Sequence, residues 1–309
     1  MKVLITGGAG FIGTNLTIKA CSLGWDVTVI DRDVSKLGNW QHEAKSARIV
    51  HADYSDPESL RLVRESKYDV IFHQAAVPRV SYSVEHPSET TDENVGKTVQ
   101  LLESAAGNCG RFIFASSSSV YGDIEELPNK ESDYLGSEPS SPYAMQKKVG
   151  EEFIRLFSRQ YGLDAICLRY FNVFGPHQYG DSAYSTALSS WCHKIKNKEA
   201  LRSDGTGEQS RDLCYVDNVV SANVLSALSK NVHKGEAMNI ACGGRTSNKE
   251  ILDEMEKRFE LTIENAPFRK GDIMHTQADI SYAKEMIGYE PLVHFWEGFE
   301  KTLDWWGLS

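Results

Sequence analysis

Tyr143 and Lys147 lie four residues apart in PYAMQKKVGEEFIRLFSRQYG, a segment whose apolar spacing predicts a helix. Residues four apart share one face of a helix, so the phenol and the ammonium group should be neighbours. A free phenol has a pKa of about 10 and is a poor base, but a nearby cation stabilises the phenolate. The pair could therefore remove a proton from an alcohol. A surface helix with a half-buried tyrosine is the alternative, because Tyr-x-x-x-Lys is common by chance.

A glycine-rich segment, TGGAGFIG, begins at Thr6 directly after the apolar run KVLIT. Such glycines allow a tight turn, close approach of the backbone to a pyrophosphate, and close packing of the following helix on the strand. The N-terminus of that helix adds N–H donors and a partial positive charge. A glycine-rich turn without chemistry is the alternative, because the motif alone is weak. We expect a dinucleotide to contact Gly7, Gly10, Phe11, Ile12 and Gly13.

The ends of the next two predicted strands bear on which dinucleotide binds. Asp31 lies 24 positions after Gly7 (31 minus 7), where a carboxylate can accept both ribose hydroxyls and would repel a 2′-phosphate. This favours NAD over NADP. Arg32 acts in the opposite sense, because a guanidinium suits a 2′-phosphate. Asp53, at the end of the third predicted strand, could meet the adenine amino group or simply face solvent.

Short, continuous apolar runs alternate with longer helical patterns through the first half of the chain. The runs are KVLIT, DVTVID, RIVHAD, YDVIFHQAA, RFIFASS and DAICLRYFNV. This alternation predicts a doubly wound (Rossmann) α/β fold, with a parallel sheet covered by helices on both faces. We expect an NAD-binding domain at residues 1–175 and a smaller C-terminal substrate-binding α/β lobe at residues 176–309. Roughly residues 211–240 should return to the first sheet.

The composition limits the partners. The chain has 309 residues, of which 41% are hydrophobic and 25% charged, as expected for a soluble globular protein of two lobes. No stretch approaches the roughly 20 apolar residues of a membrane span, and no export signal is visible, so a cytoplasmic protein is expected. A net charge of -10 argues against nucleic acid. Six scattered cysteines predict reduced thiols, and the histidines show no metal-ligand spacing.

The motifs occur in the order found in a known family. They are TGGAGFIG, HQAA, SSSSVYG, SPYAMQK, RYFNVFGP, GTGEQSRDLCYVDNV and RKGDIMHTQADI, and they span nearly the whole chain. The sequence resembles the extended short-chain dehydrogenase/reductase family, and within it the nucleotide-sugar epimerases, most of all the UDP-N-acetylglucosamine and UDP-glucose 4-epimerases. The resemblance implies NAD as the cofactor, a UDP-linked sugar as the substrate, and a homodimer formed through helices such as the one carrying Tyr143.

The resemblance also implies a mechanism. Ser117, Tyr143 and Lys147 would be the catalytic residues, with Ser117 hydrogen-bonding the reacting oxygen. The Tyr143 phenolate would take the C4 hydroxyl proton while hydride leaves C4 for NAD, and the 4-keto sugar would turn over before hydride returns. Dehydratase and decarboxylase relatives carry an acidic residue between the corresponding hydroxyl and VYG, where this chain has serines. Elimination needs such an acid, whereas epimerisation needs only hydride removal and return.

Further contacts follow from the resemblance. To the cofactor site it adds Tyr54, Ala75, Ala76, Asn94 and Tyr170, together with Tyr143 and Lys147. To the substrate site it assigns Val80, Ser118, Ser119, Asn172, Tyr184, Ser185, Arg211, Arg269, Asp272 and Thr276. The two arginines of this set would hold the diphosphate. Each could instead form a surface ion pair, because both have acidic neighbours.

The sugar is less well defined than the reaction. Thr276 aligns with a position where tyrosine restricts some epimerases to plain hexoses and a small residue admits an N-acetyl group. Arg79 departs from the pattern expected beside the sugar, and it could bind a carboxylate or face solvent. A UDP-glucuronate 4-epimerase and an epimerase of another nucleotide sugar therefore stay open. A catalytically silent NAD-sensing regulator is the alternative of another class, although such proteins usually lose the tyrosine or the lysine.

Overall fold

The structure, a computed structural model, describes residues 1–124, 126–136, 138–180, 186–267 and 273–309, with the backbone alone at 134–136. The strands are β1 (Lys2–Thr6), β2 (Asp26–Asp31), β3 (Arg48–His51), β4 (Tyr68–His73), β5 (Cys109–Ser117), β6 (Ala165–Tyr170), β7 (Val173–Phe174), β8 (Leu201–Asp204), β9 (Ser210–Arg211), β10 (Cys214–Tyr215), β11 (Lys234–Ile240), β12 (Thr246–Ser247) and β13 (Ile263–Ala266). The α-helices are α1 (Phe11–Ser22), α2 (Pro57–Ser66), α3 (Val80–Glu85), α4 (Pro87–Thr91), α5 (Lys97–Ala105), α6 (Pro142–Tyr161), α7 (Ala187–Asn197), α8 (Val216–Leu228), α9 (Asn248–Glu256), α10 (Ser281–Ile287) and α11 (Phe295–Trp306). Shorter helical turns occupy Leu37–Asn39, Gln41–Glu43, Asp92–Gly96, Ser118–Tyr121 and Glu131–Gly136.

Seven strands form one parallel sheet in the order β11-β6-β5-β4-β1-β2-β3. Strands β2 and β3 are added in order on one side of β1, and strands β4, β5, β6 and β11 are then added in order on its other side. Such a reversal opens a crevice at the carboxyl ends of the strands, between β1 and β4. The predicted doubly wound α/β fold is therefore confirmed.

Both faces of this sheet are covered, which explains why its strands are continuously apolar. Successive residues of a strand point to opposite faces, so Val3 and Leu4 of β1 enter different cores. Val3 lies in the core that contains residues of α1 and α8, and Leu4 in the core that contains residues of α5 and α6. No helix among the described residues is long and apolar enough to cross a bilayer.

A further apolar core lies in the C-terminal part of the chain. It joins β8 to α7, α9 and α11 through Trp191, Leu201, Ile251 and Phe299, among others. The chain nevertheless returns to the large sheet after β8, because β11 pairs with β6 and residues of α8 and α10 enter the first core. The division at residue 175 stays a prediction.

Helix α6 is held close to β5 by its sequence. The Ser141 hydroxyl accepts the Ala144 N–H, and Pro142 occupies the first turn, which fixes the start of the helix. At Gly150 a Cβ atom would lie 2.7 Å from the Phe114 ring. The glycine therefore allows α6 to approach the strand that ends in Ser117.

Replacing Gly150 with valine should destabilise the fold by about 1–3 kcal/mol, because the added carbons would overlap the buried Phe114 ring. The same substitution at exposed Gly244, where an added Cβ meets no atom within 4 Å, should change stability by less than about 0.5 kcal/mol. Urea unfolding followed by circular dichroism measures both values. Equal effects at the two positions would contradict the close packing described above.

Candidate active site

A cavity of about 1490 Å³ opens at the carboxyl ends of the central strands. Its wall contains most of the residues predicted for the site: Gly7, Gly10, Phe11, Ile12, Gly13, Asp31, Arg32, Asp53, Tyr54, Ala75, Ala76, Val80, Ser117, Ser118, Ser119, Tyr143, Lys147, Tyr170, Asn172, Arg211 and Thr276. Tyr184, Ser185, Arg269 and Asp272 lie outside the described residues. The fold thus brings the predicted cofactor and substrate residues to one continuous space.

Asn94 is the described residue of the prediction that does not reach this wall. It is buried, and its side chain bonds both the N–H and the carbonyl of Val77, at 2.7 and 3.0 Å. Its Nδ2 also donates to Gln146 at 2.8 Å. Asn94 therefore fixes Val77, which lies in the wall, and its own amide is bonded to protein groups.

The turn after β1 forms a cradle that only glycine permits. Gly7 has φ +69°, and a Cβ on it would lie 2.7 Å from the Ala75 backbone. A Cβ on Gly13 would lie 2.0 Å from the Gly7 carbonyl oxygen. Helix α1 begins directly after Gly10, so its N-terminal turn lies in the cavity wall. The residues present fit a pyrophosphate held on a helix N-terminus.

Asp31 is fixed at the end of β2 by two backbone donors. Its Oδ2 accepts the Ala9 N–H and its Oδ1 accepts the Asp33 N–H, each at 2.9 Å. Burial raises the pKa of this carboxyl, and the two hydrogen bonds work against that rise. A carboxylate held in this way can still accept from ribose hydroxyls through its remaining lone pairs.

Arg32 is engaged by acids in this structure. Its Nη1 lies 2.7 Å from Oε2 of Glu93 and 3.9 Å from Oδ2 of Asp53. Lys97 contacts the same two carboxylates, at 2.6 Å for Glu93 and 2.7 Å for Asp53. Sequence reasoning missed Glu93, although its i,i+4 spacing to Lys97 was visible. Glu93 thus holds the guanidinium that could otherwise meet a 2′-phosphate, while Asp53 and Glu93 together hold Lys97.

Ser117, Tyr143 and Lys147 meet where β5 and α6 approach each other. The Ser117 Oγ accepts the Ser119 N–H at 3.2 Å, and the Ser117 hydroxyl lies near enough to Tyr143 to lower the pKa of its phenol. Lys147 is 4% exposed, donates from Nζ to the Ala115 carbonyl at 2.8 Å, and lies 5.9 Å from the centre of the Tyr143 ring. The spacing read from the sequence does place phenol and ammonium side by side.

Burial shifts both groups of this pair. It raises the pKa of Tyr143 to about 12, and the neighbouring Ser117 side chain acts in the opposite direction. It lowers the pKa of Lys147 to about 8, and the charge of Glu151 opposes that change. A phenol with such a pKa is not a base at neutral pH. Further positive charge must stand near it before it can take a proton, and an oxidised nicotinamide carries such a charge.

The part of the wall that the sequence predicts to face a substrate has the Thr276 hydroxyl at its centre. Its Oγ1 accepts from Asn172 Nδ2 at 3.1 Å and from the Asp212 N–H at 3.2 Å. Asn172 also donates to the Asp212 carbonyl at 3.2 Å and has a positive φ of 36°. Thr276 therefore does more than leave space, because it fixes Asn172 beside the cavity.

Asp212 and Arg211, neighbours in sequence, have different partners. The Asp212 carboxylate is fully buried and accepts backbone N–H groups of Cys242, Gly243 and Ala278. Arg211 Nη1 donates to two backbone carbonyls, those of Ser210 and Met274, each at 3.1 Å. Asp212 thereby connects its own segment to two others, residues 242–243 and Ala278, next to Arg211, which lies in the cavity wall.

Tyr170 is fixed by two residues that sequence reasoning missed. Asn223 Nδ2 donates to the Tyr170 hydroxyl at 2.8 Å, the hydroxyl donates to Gln74 Oε1 at 3.2 Å, and Gln74 Nε2 donates to Asn223 Oδ1 at 3.1 Å. Gln74 belongs to the HQAA motif and could have been found. Asn223 lies within α8, where nothing in the pattern distinguishes it.

Two further observations describe what the site offers a ligand. The Ser119 hydroxyl is buried, has no hydrogen-bond partner in the described part of the chain, and belongs to a residue of the wall. Such a group is a ready partner for a bound polar molecule.

The described residues contain no group of three or more His, Cys, Asp or Glu side chains that could hold a metal ion.

Comparison with known proteins identifies the class. A model of the NAD dependent epimerase/dehydratase family matches residues 3–241. A putative UDP-glucose 4-epimerase of Methanocaldococcus jannaschii is 33% identical over 98% of this chain and 97% of its own. The chain therefore belongs to the NAD dependent epimerase/dehydratase family, and its cofactor is NAD.

Solved structures agree over the whole fold. The UDP-N-acetylglucosamine 4-epimerase of Methanobrevibacter ruminantium M1, in complex with UDP-N-acetylmuramic acid, is 33% identical with a TM-score of 0.89, covering 98% of this chain and 97% of that one. The UDP-glucuronic acid 4-epimerase of Bacillus cereus, in complex with UDP-glucuronic acid and NAD, is 28% identical with a TM-score of 0.89, covering 99% of both chains. The crevice is thus of a kind that holds NAD in a solved relative.

Replacing Glu93 with glutamine should weaken the preference for NAD, because Arg32, which lies in the cavity wall, would lose its nearest carboxylate and be available to a 2′-phosphate. The affinity for NADP relative to NAD should rise by roughly tenfold or more, since one charge-assisted hydrogen bond is worth about 1.5–3 kcal/mol. Calorimetric titration of nucleotide-free protein measures both affinities. Glu58→Gln, which removes an exposed acid on α2, should leave the ratio unchanged. An unchanged ratio in Glu93→Gln would contradict this role.

Proposed function

We propose that this protein interconverts the C4 epimers of a UDP-hexose or UDP-N-acetylhexosamine through a 4-keto sugar, using NAD. The observation that carries the proposal is the meeting of Ser117, Tyr143 and Lys147 at the end of β5, next to serines instead of an acid. This set of groups can move a proton on and off one hydroxyl. It offers no carboxylate at residues 116–122 for the elimination that a dehydratase requires.

Each residue has a definite task in that reaction. NAD supplies the hydride acceptor that later returns the hydride. The Tyr143 oxygen takes the C4 hydroxyl proton and gives it back, and Ser117 hydrogen-bonds the same sugar oxygen. Lys147 keeps a positive charge close to the phenolate. The 1490 Å³ cavity supports the proposal further, because a ketone must rotate within the site without leaving it.

The choice of sugar is supported by the wall of the cavity. Thr276 is small enough to admit an N-acetyl group, and the solved relative from Methanobrevibacter is a UDP-N-acetylglucosamine 4-epimerase. A UDP-glucuronate 4-epimerase is the second candidate. Arg79 favours it, because this arginine lies in the wall at the start of α3 and could bind a carboxylate.

The assembly and location are also proposals. Met145, Leu156 and Tyr161 of α6 are exposed apolar or aromatic side chains, which supports a homodimer formed through this helix. A cytoplasmic location stays a prediction from the sequence.

Incubation with UDP-N-acetylglucosamine, UDP-glucose or UDP-glucuronate, with and without added NAD, should give inversion at C4, which proton NMR detects. Tyr143→Phe should reduce turnover by about 10²–10⁴-fold, because the proton acceptor is lost, while NAD binding is kept. Tyr161→Phe, at the exposed end of the same helix, is the matched control and should be fully active. Binding of UDP-sugars without conversion by the unmodified protein would instead indicate an NAD-sensing regulator.

Thr276→Tyr should lower kcat/KM for the N-acetylated sugar at least about tenfold more than for UDP-glucose, because the added ring would fill the space of the acetamide group. The substitution also removes the hydroxyl that fixes Asn172. Thr276→Val separates the two effects, since it removes the hydroxyl at nearly constant size and should lower both activities alike. Equal losses with Thr276→Tyr would refute the steric argument.

A further inference from the structure

Directly behind the catalytic pair lies an ion pair of Glu151 and Arg169 that the proposed reaction does not use. Glu151 is 0% exposed and Arg169 is 1% exposed. Arg169 donates from Nε to Oε1 at 2.9 Å and from Nη2 to Oε2 at 2.7 Å. A buried ion pair is often no more stable than apolar side chains of similar volume, because both charges lose their hydration. Its presence here calls for a role other than stability.

Glu151 is connected to the strand that ends in the catalytic serine. It lies one helical turn after Lys147 on α6, so both point to the same face. Ser116 Oγ donates to Glu151 Oε1 at 2.5 Å, and Lys147 Nζ donates to the Ala115 carbonyl at 2.8 Å. Two consecutive residues of β5 are therefore attached to two consecutive turns of α6.

Arg169 extends this connection to the other end of the serine segment. Its Nη1 donates to the Tyr121 hydroxyl at 2.8 Å, and that hydroxyl donates to Asn239 Oδ1 at 2.6 Å. Tyr121 lies two residues after Ser119, and Ser116 lies directly before Ser117. The Glu151–Arg169 pair is thus bonded to the serine segment, residues 116–122, near both of its ends.

Glu151 also provides the negative charge that stabilises the buried ammonium group of Lys147. The titratable groups near Lys147 are Tyr143 and Glu151 on α6, His73 on β4 and Cys167 on β6, and Arg169 pairs with Glu151 itself. Burial lowers the pKa of His73 to about 3 and raises the pKa of Cys167, so both are neutral at pH 7. Among these described groups Glu151 alone supplies negative charge.

We propose that Glu151 is a positioning residue of the site: its carboxylate keeps Lys147 charged in a buried pocket and anchors the segment that carries Ser117. The inference rests on the proposed function, because Lys147 matters only if Tyr143 must ionise. According to this proposal, the buried ion pair influences whether Tyr143 is ionised. A purely structural ion pair would have no such influence.

Glu151→Gln tests the charge, because glutamine keeps the shape and can still accept from Ser116. Lys147 would lose its proton more readily, so the Tyr143 phenolate would be less stabilised. The acidic limb of the kcat–pH profile should move to higher pH by about one unit. Ser116→Ala keeps the carboxylate and removes one hydrogen bond, so it should reduce kcat without moving the limb.

A spectroscopic reading makes the test independent of turnover. The phenolate absorbs near 295 nm, and subtracting the titration of Tyr143→Phe isolates Tyr143 in NAD-loaded protein. Glu151→Gln should raise this apparent pKa in parallel with the kinetic limb. If the unmodified protein epimerised nothing, the proposed function would fail while this titration still tested Glu151.

The single variant removes the carboxylate that faces the Arg169 guanidinium and could unfold, which circular dichroism would reveal. The double variant Glu151→Gln/Arg169→Gln removes both charges of the pair and should show a smaller upward shift, because the loss of the Arg169 charge partly offsets the loss of the Glu151 charge. An unshifted limb together with an unshifted phenolate titration, in whichever of these variants folds, would overturn the proposal and leave the pair a structural feature only.

Discussion

The site depends on one electrostatic constraint: an ammonium group has to remain charged where water scarcely reaches it. Lys147 is 4% exposed, and burial works against its charge. The surrounding structure offsets this through the Ala115 carbonyl, the Phe114 ring 4.8 Å away, and the carboxylate one turn along the helix. These contacts exist because α6 approaches β5 closely at Gly150. The close packing of α6 on β5 and the charge of Lys147 therefore depend on each other.

Much of this arrangement could be predicted because it is local in sequence. The apolar runs predicted the parallel sheet, since a strand covered on both faces has no polar side. The glycines after β1 predicted a cradle, and the structure shows that a Cβ at Gly7 or Gly13 would overlap the backbone. Tyr143 and Lys147 were found for the same reason, because helical periodicity alone puts them on one face.

The contacts that could not be predicted join residues far apart in the chain. Arg32 was expected to favour a 2′-phosphate, but Glu93, 61 positions away, holds it. Thr276 was expected only to leave space, but its hydroxyl bonds Asn172, 104 positions away. The roles of Asn94 and Asn223 likewise depend on partners that no short pattern identifies. Spacing predicts what lies on one element, whereas partner choice is decided by tertiary packing.

The return of β11 to the large sheet has a consequence for how the chain can be divided. β6 is buried at all six positions, and β11 covers one of its edges. In the chain, β11 follows α7 and β8, which belong to the C-terminal apolar core. A fragment ending at Gly175 would carry β6 as a bare edge strand with its apolar face uncovered by α8. Exposed edges of this kind recruit other chains. Heterologous production of residues 1–175 alone should therefore yield insoluble material, because the cover of β6 comes from residues later in the chain.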